Sequence, residues 1–472
     1  MNPEEAIDGH GGIAAKMRSG GVGEATVRAF LDARARARSG ERGMIPEPEI
    51  APIAALPRLE EIPGDAGDAA DELRRLVVVK LNGGLGTGMG LDRAKSLLRV
   101  RNEDTFLDFI ARQILQLREA TAGEFPRFVL MNSFATRADT LEYLARYPTL
   151  GGGGSMDFLQ NRVPKVCAHT WDAVSWPDDP ELEWCPPGHG DFYPALQGSG
   201  MLRSLLDQGI RYAFVSNSDN LGATVDTRLL GHFARSGLSF LMEVAERTPA
   251  DRKGGHLARR VATGRLLLRE FAQCLETDQA AFQDTERHRF FNTNNLWIRL
   301  DHLAEVLEAQ GGTLRLPLIT NAKTVDPKNP RSRPVLQLES AMGAAIEVFE
   351  RSGAMVVPRE RFSPVKSTSD LVALRSDAYG ETRDHRLVLS PERRGIPPVV
   401  ELDSRHYKVL DAFEALMGRG APSLRRCRSL RVEGPVRFGA RVVCEGEVTF
   451  RNATPDPRPV PEGTYRDAVV EV

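Results

Sequence analysis

Directly behind the run Leu76 to Leu81 stands Asn82-Gly83-Gly84-Leu85-Gly86-Thr87-Gly88-Met89-Gly90, with five glycines in the eight positions from Gly83. Residues without a Cβ let the backbone approach a ligand closely, and consecutive amides can line up as a nest for an anion. Lys95 stands just beyond. Together these read as a loop for a phosphate and a base. It is not a dinucleotide fingerprint, because no G-x-G-x-x-G register fits. Nor is it a P-loop, because Ala94 precedes Lys95-Ser96 where that motif requires glycine. The bland alternative is a floppy turn, and the apolar strand that feeds the loop argues against it. Asp219 follows another apolar run, Tyr212 to Val215. A short carboxylate there reaches a ligand cleft and suits a metal, but it also suits a helix cap before Asn220 and Leu221; spacing alone leaves both open.

These groups need elements to position them. Leu76 to Leu81, Phe128 to Met131, Tyr212 to Val215 and Phe240 to Val244 have strand length, while Phe106, Phe109, Ile110, Ile114 and Leu117 fall at helical spacing. Strand, helix, strand implies an α/β domain with a mixed, mostly parallel, Rossmann-like sheet covered on both faces. Ligands of such sheets sit beyond the carboxyl ends of the strands. Before this region, Glu24 to Arg38 reads as an amphipathic helix with Val27, Phe30 and Leu31 on one stripe. Pro46, Pro48, Pro52, Pro57 and Pro63 then break regular structure. Residues 1–72 are therefore expected to be a helical extension, and 73–400 the α/β domain.

The final part, 401–472, changes character. A linking helix carries Tyr407, Leu410, Phe413 and Leu416 on one face. Two sets then recur every six residues: Leu430, Val436, Val442, Val448, and Val432, Phe438, Cys444, Phe450. Six is the period of a parallel β-helix of hexapeptide turns, favoured here over an antiparallel meander.

Composition narrows the function classes. With 62 basic and 64 acidic residues and no long like-charge run, nothing favours a nucleic-acid groove or a membrane surface. No apolar stretch approaches the roughly 20 residues of a membrane helix, and Met1 to Glu5 lacks a signal peptide's order, so the cytoplasm is the expected location. Cys167, Cys185, Cys274, Cys427 and Cys444 are scattered and odd in number, which argues for buried thiols over a disulfide framework.

Leu81-Asn82-Gly83-Gly84-Leu85-Gly86-Thr87-x-Met89-Gly90 with Lys95-Ser96 resembles the nucleotide-binding loop of the eukaryotic-type UTP--glucose-1-phosphate uridylyltransferases. The resemblance continues, in the family's order, through further blocks: Gln160, Pro187-Gly188-His189-Gly190-Asp191, Asn217 to Ala223, Asp251 to Gly255, Phe291 to Trp297, Gln337-Leu338-Glu339 and Phe362 to Asp370. It covers most of residues 75 to 452.

That resemblance implies a nucleotidyltransferase domain with a small C-terminal left-handed β-helix, UTP and glucose 1-phosphate as substrates, and Mg²⁺ as cofactor. Two polyanions must meet, so cations are required. By similarity, Lys95 holds the outer phosphates, Lys366 lies against the α-phosphate and the attacking phosphate, and Asp219 holds the metal. The backbone of Leu81, Asn82, Gly83 and Gly84, with Gln160, matches the uracil edge, and Gly188 lets the base approach. His189, flanked by glycines, reads as a donor to the sugar phosphate, since an ionised phosphate nucleophile needs no base. Asn217, Gly255, Glu270, Asn292 and Asn294 are the sugar contacts the resemblance suggests, a polar turn being the alternative for Asn292 to Asn295. Lys323 is either a further positive charge or a solvated surface lysine.

The chain departs from the family where Arg93-Ala94 replaces the usual Gly-Pro before the lysine, at Ala322 in place of proline, and at Ser218 in place of an apolar residue. None removes a group the chemistry needs. The expected reaction is in-line attack of the sugar phosphate on the α-phosphorus of UTP. The alternatives are another sugar, such as N-acetylglucosamine 1-phosphate or a broad UDP-sugar range, and a non-catalytic nucleotide-sugar-binding protein. Edges of the β-helix offer a surface for a homo-oligomer.

Overall fold

The computed structural model describes residues 9–63, 69–121, 123, 125–248, 251–327, 329–418 and 420–472. The acidic stretch Met1 to Glu5 lies outside them. The site is organised by β1 (Leu76–Asn82), β2 (Arg127–Asn132), β3 (Asp157–Leu159), β4 (Tyr212–Asn217), β5 (Phe240–Glu246), β6 (His256–Arg260), β7 (Phe290–Arg299) and β8 (Ser352–Val356). In the large sheet β4, β1, β2 and β3 run parallel in that spatial order. β7 is antiparallel to β4 on one side and to β5 on the other, and β5 pairs in parallel with β8. The sheet is therefore mixed, with parallel pairing confined to the β4-β1-β2-β3 run and the β5-β8 pair among the strands named here.

The continuous apolar runs arise because both faces of this sheet are covered. Side chains alternate across a strand, so Leu76 and Val78 enter one core cluster while Val77 and Val79 enter the other. Phe128 and Leu130 against Val129 and Met131, and Phe214 against Ala213 and Val215, divide the same way. The helix Phe106–Glu119 covers one face with Phe106, Phe109, Ile110 and Ile114. It starts sharply because Thr105 and Asp108 form a reciprocal capping box.

At the N-terminus, Glu24–Arg38 is helical with Val27 and Phe30 buried, as its stripe requires. A second helix, Gly9–Ser19, precedes it and was not legible in the pattern. Both pack on Val163, Val166, Leu318 and Leu338 of the main body. Within the proline-dense connector, Ile50–Ala51 forms a short strand antiparallel to β6.

On either side of the helices Ser404–Tyr407 and Leu410–Met417, β9 (Val399–Leu402) before them and β10 (Ser423–Glu433), β11 (Val442–Arg451) and β12 (Gly463–Glu471) after them pair in parallel. Leu430 faces Val448 and Val432 faces Phe450, each pair 18 residues apart, or three hexapeptides. Parallel pairing excludes the antiparallel meander. Both six-residue sets are at most 1% exposed and join the core cluster that includes Val365, Leu371 and Tyr407. All five cysteines are free. Among the described residues no helix is long and apolar enough to cross a membrane.

Candidate active site

Register brings the loops together. Leu81 pairs with Asn217, Asn82 with Asn132, and Asn132 with Leu159, so the carboxyl ends of the four parallel strands lie along one edge. The glycine loop, Gln160 and the Ser218 to Ala223 turn all leave from that edge. Gly86 and Gly90 adopt φ of 67° and 75°, the left-handed region open to glycine. The amide of Lys95 donates to the Gly84 carbonyl at 3.0 Å, folding the loop back so that the lysine faces the strand ends.

Lys95 Nζ lies 2.5 Å from Asp219 Oδ2, with both side chains mostly enclosed. The two groups that the sequence puts 124 residues apart thus meet directly. The backbone of Asp219 accepts from the Val365 amide at 3.3 Å, and Asn220 bridges to Pro364, which brings the segment carrying Lys366 beside the aspartate. Lys366 is exposed, immediately before the helix Thr368–Arg375 capped by Ser367 and Asp370.

A second cluster surrounds Gln160. A Cβ on Gly83 would fall 2.5 Å from Gln160 Oε1, and Gln160 Nε2 donates to the Gly188 carbonyl at 3.3 Å. Gly83, Gln160 and Gly188 therefore form one wall. Asn82 does not share it through its side chain, which is buried and donates to Asn132 Oδ1 at 2.8 Å and Thr140 Oγ1 at 3.0 Å. Its carbonyl accepts from Thr136 Oγ1, so the side chain and carbonyl of Asn82 both shape the loop from behind. The Leu81 carbonyl likewise accepts from the Ser218 amide, tying the loop to the aspartate turn.

Gly188 has φ 79°, and a Cβ there would lie 2.5 Å from the Ser340 carbonyl, so both conformation and space require glycine. His189 Nδ1 accepts from the Met342 amide at 2.9 Å, which leaves the proton on Nε2. Desolvation pushes its pKa down to about 4, so the ring is a neutral donor at neutral pH. Its neighbour Asp191 is pushed up to about 7 by burial, against hydrogen bonds from Asn161.

The sugar candidates gather on the antiparallel strand. Asn294 Nδ2 donates to Asn217 Oδ1 at 2.9 Å, and its own amide donates to Asn292 Oδ1 at 2.8 Å. Asn294 has φ 60° and a buried Oδ1 with no hydrogen-bond partner. An unpaired buried acceptor is unfavourable, so this oxygen, at a left-handed position inside β7, is left open to a donor. The Asn292 amide donates to the Gly255 carbonyl, and a Cβ on Gly255 would lie 2.4 Å from Glu270 Oε2. Burial raises the Glu270 pKa, and the positive charge of Lys366 partly opposes that rise. Lys323 is exposed on the strand Leu318–Thr324, in a separate three-stranded sheet, beside a hollow with Lys165 and Gln337.

Sequence reasoning passed over Lys80. It is 2% exposed, and its ammonium donates to Ser216 Oγ and the Ala223 carbonyl, bracing the turn that carries Asp219. Desolvation lowers its pKa to about 7. A lysine inside an apolar strand was the available signal.

The glycine loop, the Gly83–Gln160–Gly188 wall and the Lys95–Asp219 pair lie together at the carboxyl ends of parallel strands, where α/β sheets bind nucleotides. The family model described as UTP--glucose-1-phosphate uridylyltransferase matches residues 29–445. The Solanum tuberosum protein named UTP--glucose-1-phosphate uridylyltransferase is 37% identical over 469 residues, covering 98% of this chain and 94% of that one. A UDP-glucose pyrophosphorylase mutant from Leishmania major, solved in complex with UDP-glucose, is 47% identical with a TM-score of 0.92, over 98% of this chain and 99% of that one. A UDP-glucose phosphorylase from Trypanosoma brucei is 49% identical with a TM-score of 0.89, over 98% of each chain. The chain belongs to the UTP--glucose-1-phosphate uridylyltransferase family.

Proposed function

We propose that this chain transfers the uridylyl group of UTP to glucose 1-phosphate, forming UDP-glucose and pyrophosphate, reversibly. A phosphate oxygen of the sugar attacks the α-phosphorus of UTP. The bond from that phosphorus to the bridging oxygen breaks, and pyrophosphate leaves with the electron pair. No proton is transferred, so the residues act by positioning and charge neutralisation. The observation that carries this reading is the Lys95–Asp219 pair at the strand ends, with the Lys366 segment bonded to the Asp219 backbone. Lys95 receives the outer phosphates, and Lys366 lies between the α-phosphate and the incoming phosphate. Gly83, Gly84, Gln160 and Gly188 flank uracil. His189 donates through Nε2 to the sugar phosphate, and Asn217, Gly255, Glu270, Asn292 and Asn294 take the glucose hydroxyls.

Mg²⁺ suits the donor set. Asp219 supplies one hard carboxylate, and among the described residues no cluster of three or more His, Cys, Asp or Glu forms a cage. That matches a cation that keeps its waters and takes its other ligands from substrate phosphates. Bound there, Mg²⁺ would neutralise phosphate charge as it develops on the leaving group.

The test of the activity is pyrophosphate release from UTP with a panel of sugar 1-phosphates, glucose 1-phosphate being the preferred partner. Equal turnover with N-acetylglucosamine 1-phosphate would redraw the specificity, and UDP-glucose binding without turnover would leave a non-catalytic binder. The metal reading carries its own prediction. Because Lys95 already neutralises Asp219, the free chain should bind Mg²⁺ more weakly than about 1 mM by calorimetry, and Lys95→Met should tighten that binding. Tight Mg²⁺ binding by the unsubstituted free chain would contradict the assignment.

The same reading divides the chain into a helical extension at 1–72, a catalytic domain at 73–400 and a linking helix with a left-handed β-helix at 401–472. The parallel pairing at 18-residue intervals supports the last of these. The exposed edge strand β12 offers a surface for a homo-oligomer, which light scattering would reveal. Five unpaired cysteines fit a reducing cytoplasm.

A further inference from the structure

Glu243 lies in the middle of β5 and is wholly buried. A carboxylate so placed is unfavourable unless every acceptor site is used. Arg361 Nε donates to Oε2 at 2.8 Å and Arg361 Nη2 to Oε1 at 2.6 Å. Trp297 Nε1 donates to Oε1 at 2.9 Å and Asn295 Nδ2 to Oε2 at 3.1 Å. A buried ion pair of this kind can often be replaced by apolar groups without loss of stability, so its presence needs another account.

That account lies in what the pair connects. Arg361 Nη2 also donates to the Thr224 carbonyl at 2.8 Å, and the Arg361 carbonyl accepts from Asn220 Nδ2 at 3.0 Å. Asn220 Oδ1 in turn accepts from the Ser363 amide at 2.9 Å. The two segments touch so closely that a Cβ on Gly222 would fall 2.1 Å from the Glu360 carbonyl. Asn220 is the residue after Asp219, and Ser363 is three residues before Lys366. A third segment joins them, because the Thr293 hydroxyl donates to the Glu243 carbonyl at 2.7 Å, at the point where β5 shifts register against β7. Bulges commonly re-aim side chains beside active sites.

We propose that Glu243, Arg361 and Asn220 are positioning residues that hold the Asp219 turn and the Lys366 segment in one fixed register. The proposal rests on the reading that Asp219 and Lys366 serve the transfer. Displacement of a reacting group by about 1 Å costs on the order of a hundredfold in rate, so two separate loops that must act on one phosphorus need a rigid joint. The planar guanidinium is suited to it, since its fixed fork serves the Glu243 carboxylate and the Thr224 carbonyl at once, whereas an ammonium presents no such fork.

The decisive variants are Arg361→Lys, which keeps the charge but loses the fork, and Asn220→Ser, which alters no charge and secures the test if the first does not fold. Both should show kcat reduced at least tenfold, with KM for UTP and glucose 1-phosphate within threefold of the unsubstituted chain. Amide exchange should accelerate together in segments 217–224 and 362–367. Arg118→Lys is the matched control, because Arg118, 1% exposed against 7% for Arg361, is also buried but holds the carbonyls of Pro126, Thr149 and Leu150 elsewhere in the core. It should lose stability while keeping kcat within threefold. A kcat within threefold in a folded Arg361→Lys or Asn220→Ser chain, or faster exchange in only one of the two segments, overturns the proposal. If the unsubstituted chain releases no pyrophosphate, the proposed function fails instead, and the exchange data alone decide whether the segments are joined.

Discussion

Lys366→Ala should leave the fold intact and reduce kcat by about 10³-fold, or about 4 kcal/mol of transition-state stabilisation. Lys366 is exposed, and its bond to Asp370 is made by the backbone amide, which alanine retains. Removing the ammonium takes from Glu270 a charge that offsets its burial, but it breaks no core packing, so stability should change by about 1 kcal/mol or less. The loss falls on rate because the ammonium faces charge that concentrates between two phosphates only as they approach. Lys366→Arg should recover part of the rate, since charge is restored with altered geometry. The measurements are steady-state kcat and thermal unfolding in parallel. A near-normal kcat in the alanine variant would remove Lys366 from the mechanism.

Asp219→Asn should have the second largest effect, a fall of about 10²-fold or more in kcat together with a higher Mg²⁺ requirement. The substitution keeps the side chain's shape and removes its charge, so it acts on the metal and on Lys95 together. The Lys95–Asp219 pair is mostly enclosed but keeps some solvent exposure, and it is not among the fully buried groups of the core. Its loss should cost about 1 kcal/mol of stability or less. A Mg²⁺ titration of activity separates the two consequences, since a lost ligand shifts the midpoint while a misplaced Lys95 lowers the plateau. An unchanged midpoint would contradict the ligand assignment.

Much of the site could be read from residue order because its signals are local. Five glycines after a buried strand announce a close backbone approach whatever surrounds them. Strand runs that divide between two cores were visible as apolar stretches, and the six-residue sets of the C-terminal part fit the parallel strand pairing found there. Asn82 shows the limit. The contact expected of it is a backbone one, and spacing said nothing of its side chain, whose amide turns inward to Asn132 and Thr140 because β2 lies beside it. Likewise the run of parallel strands was legible, but β7 was not read as a strand, since Asn292 to Asn295 also suit a polar turn, and only pairing with β4 and β5 makes it an antiparallel member of the sheet.

The sequence by itself determined which groups are present and which periodicities must be buried, since hydrophobic spacing and glycine content act within a few residues. Tertiary structure alone decided that Lys95 meets Asp219, that Asn294 keeps an unpaired oxygen, and that Glu243 and Arg361, 118 positions apart, join two loops. Those contacts depend on the register of strands brought together by packing, and no local preference encodes a distance across a sheet.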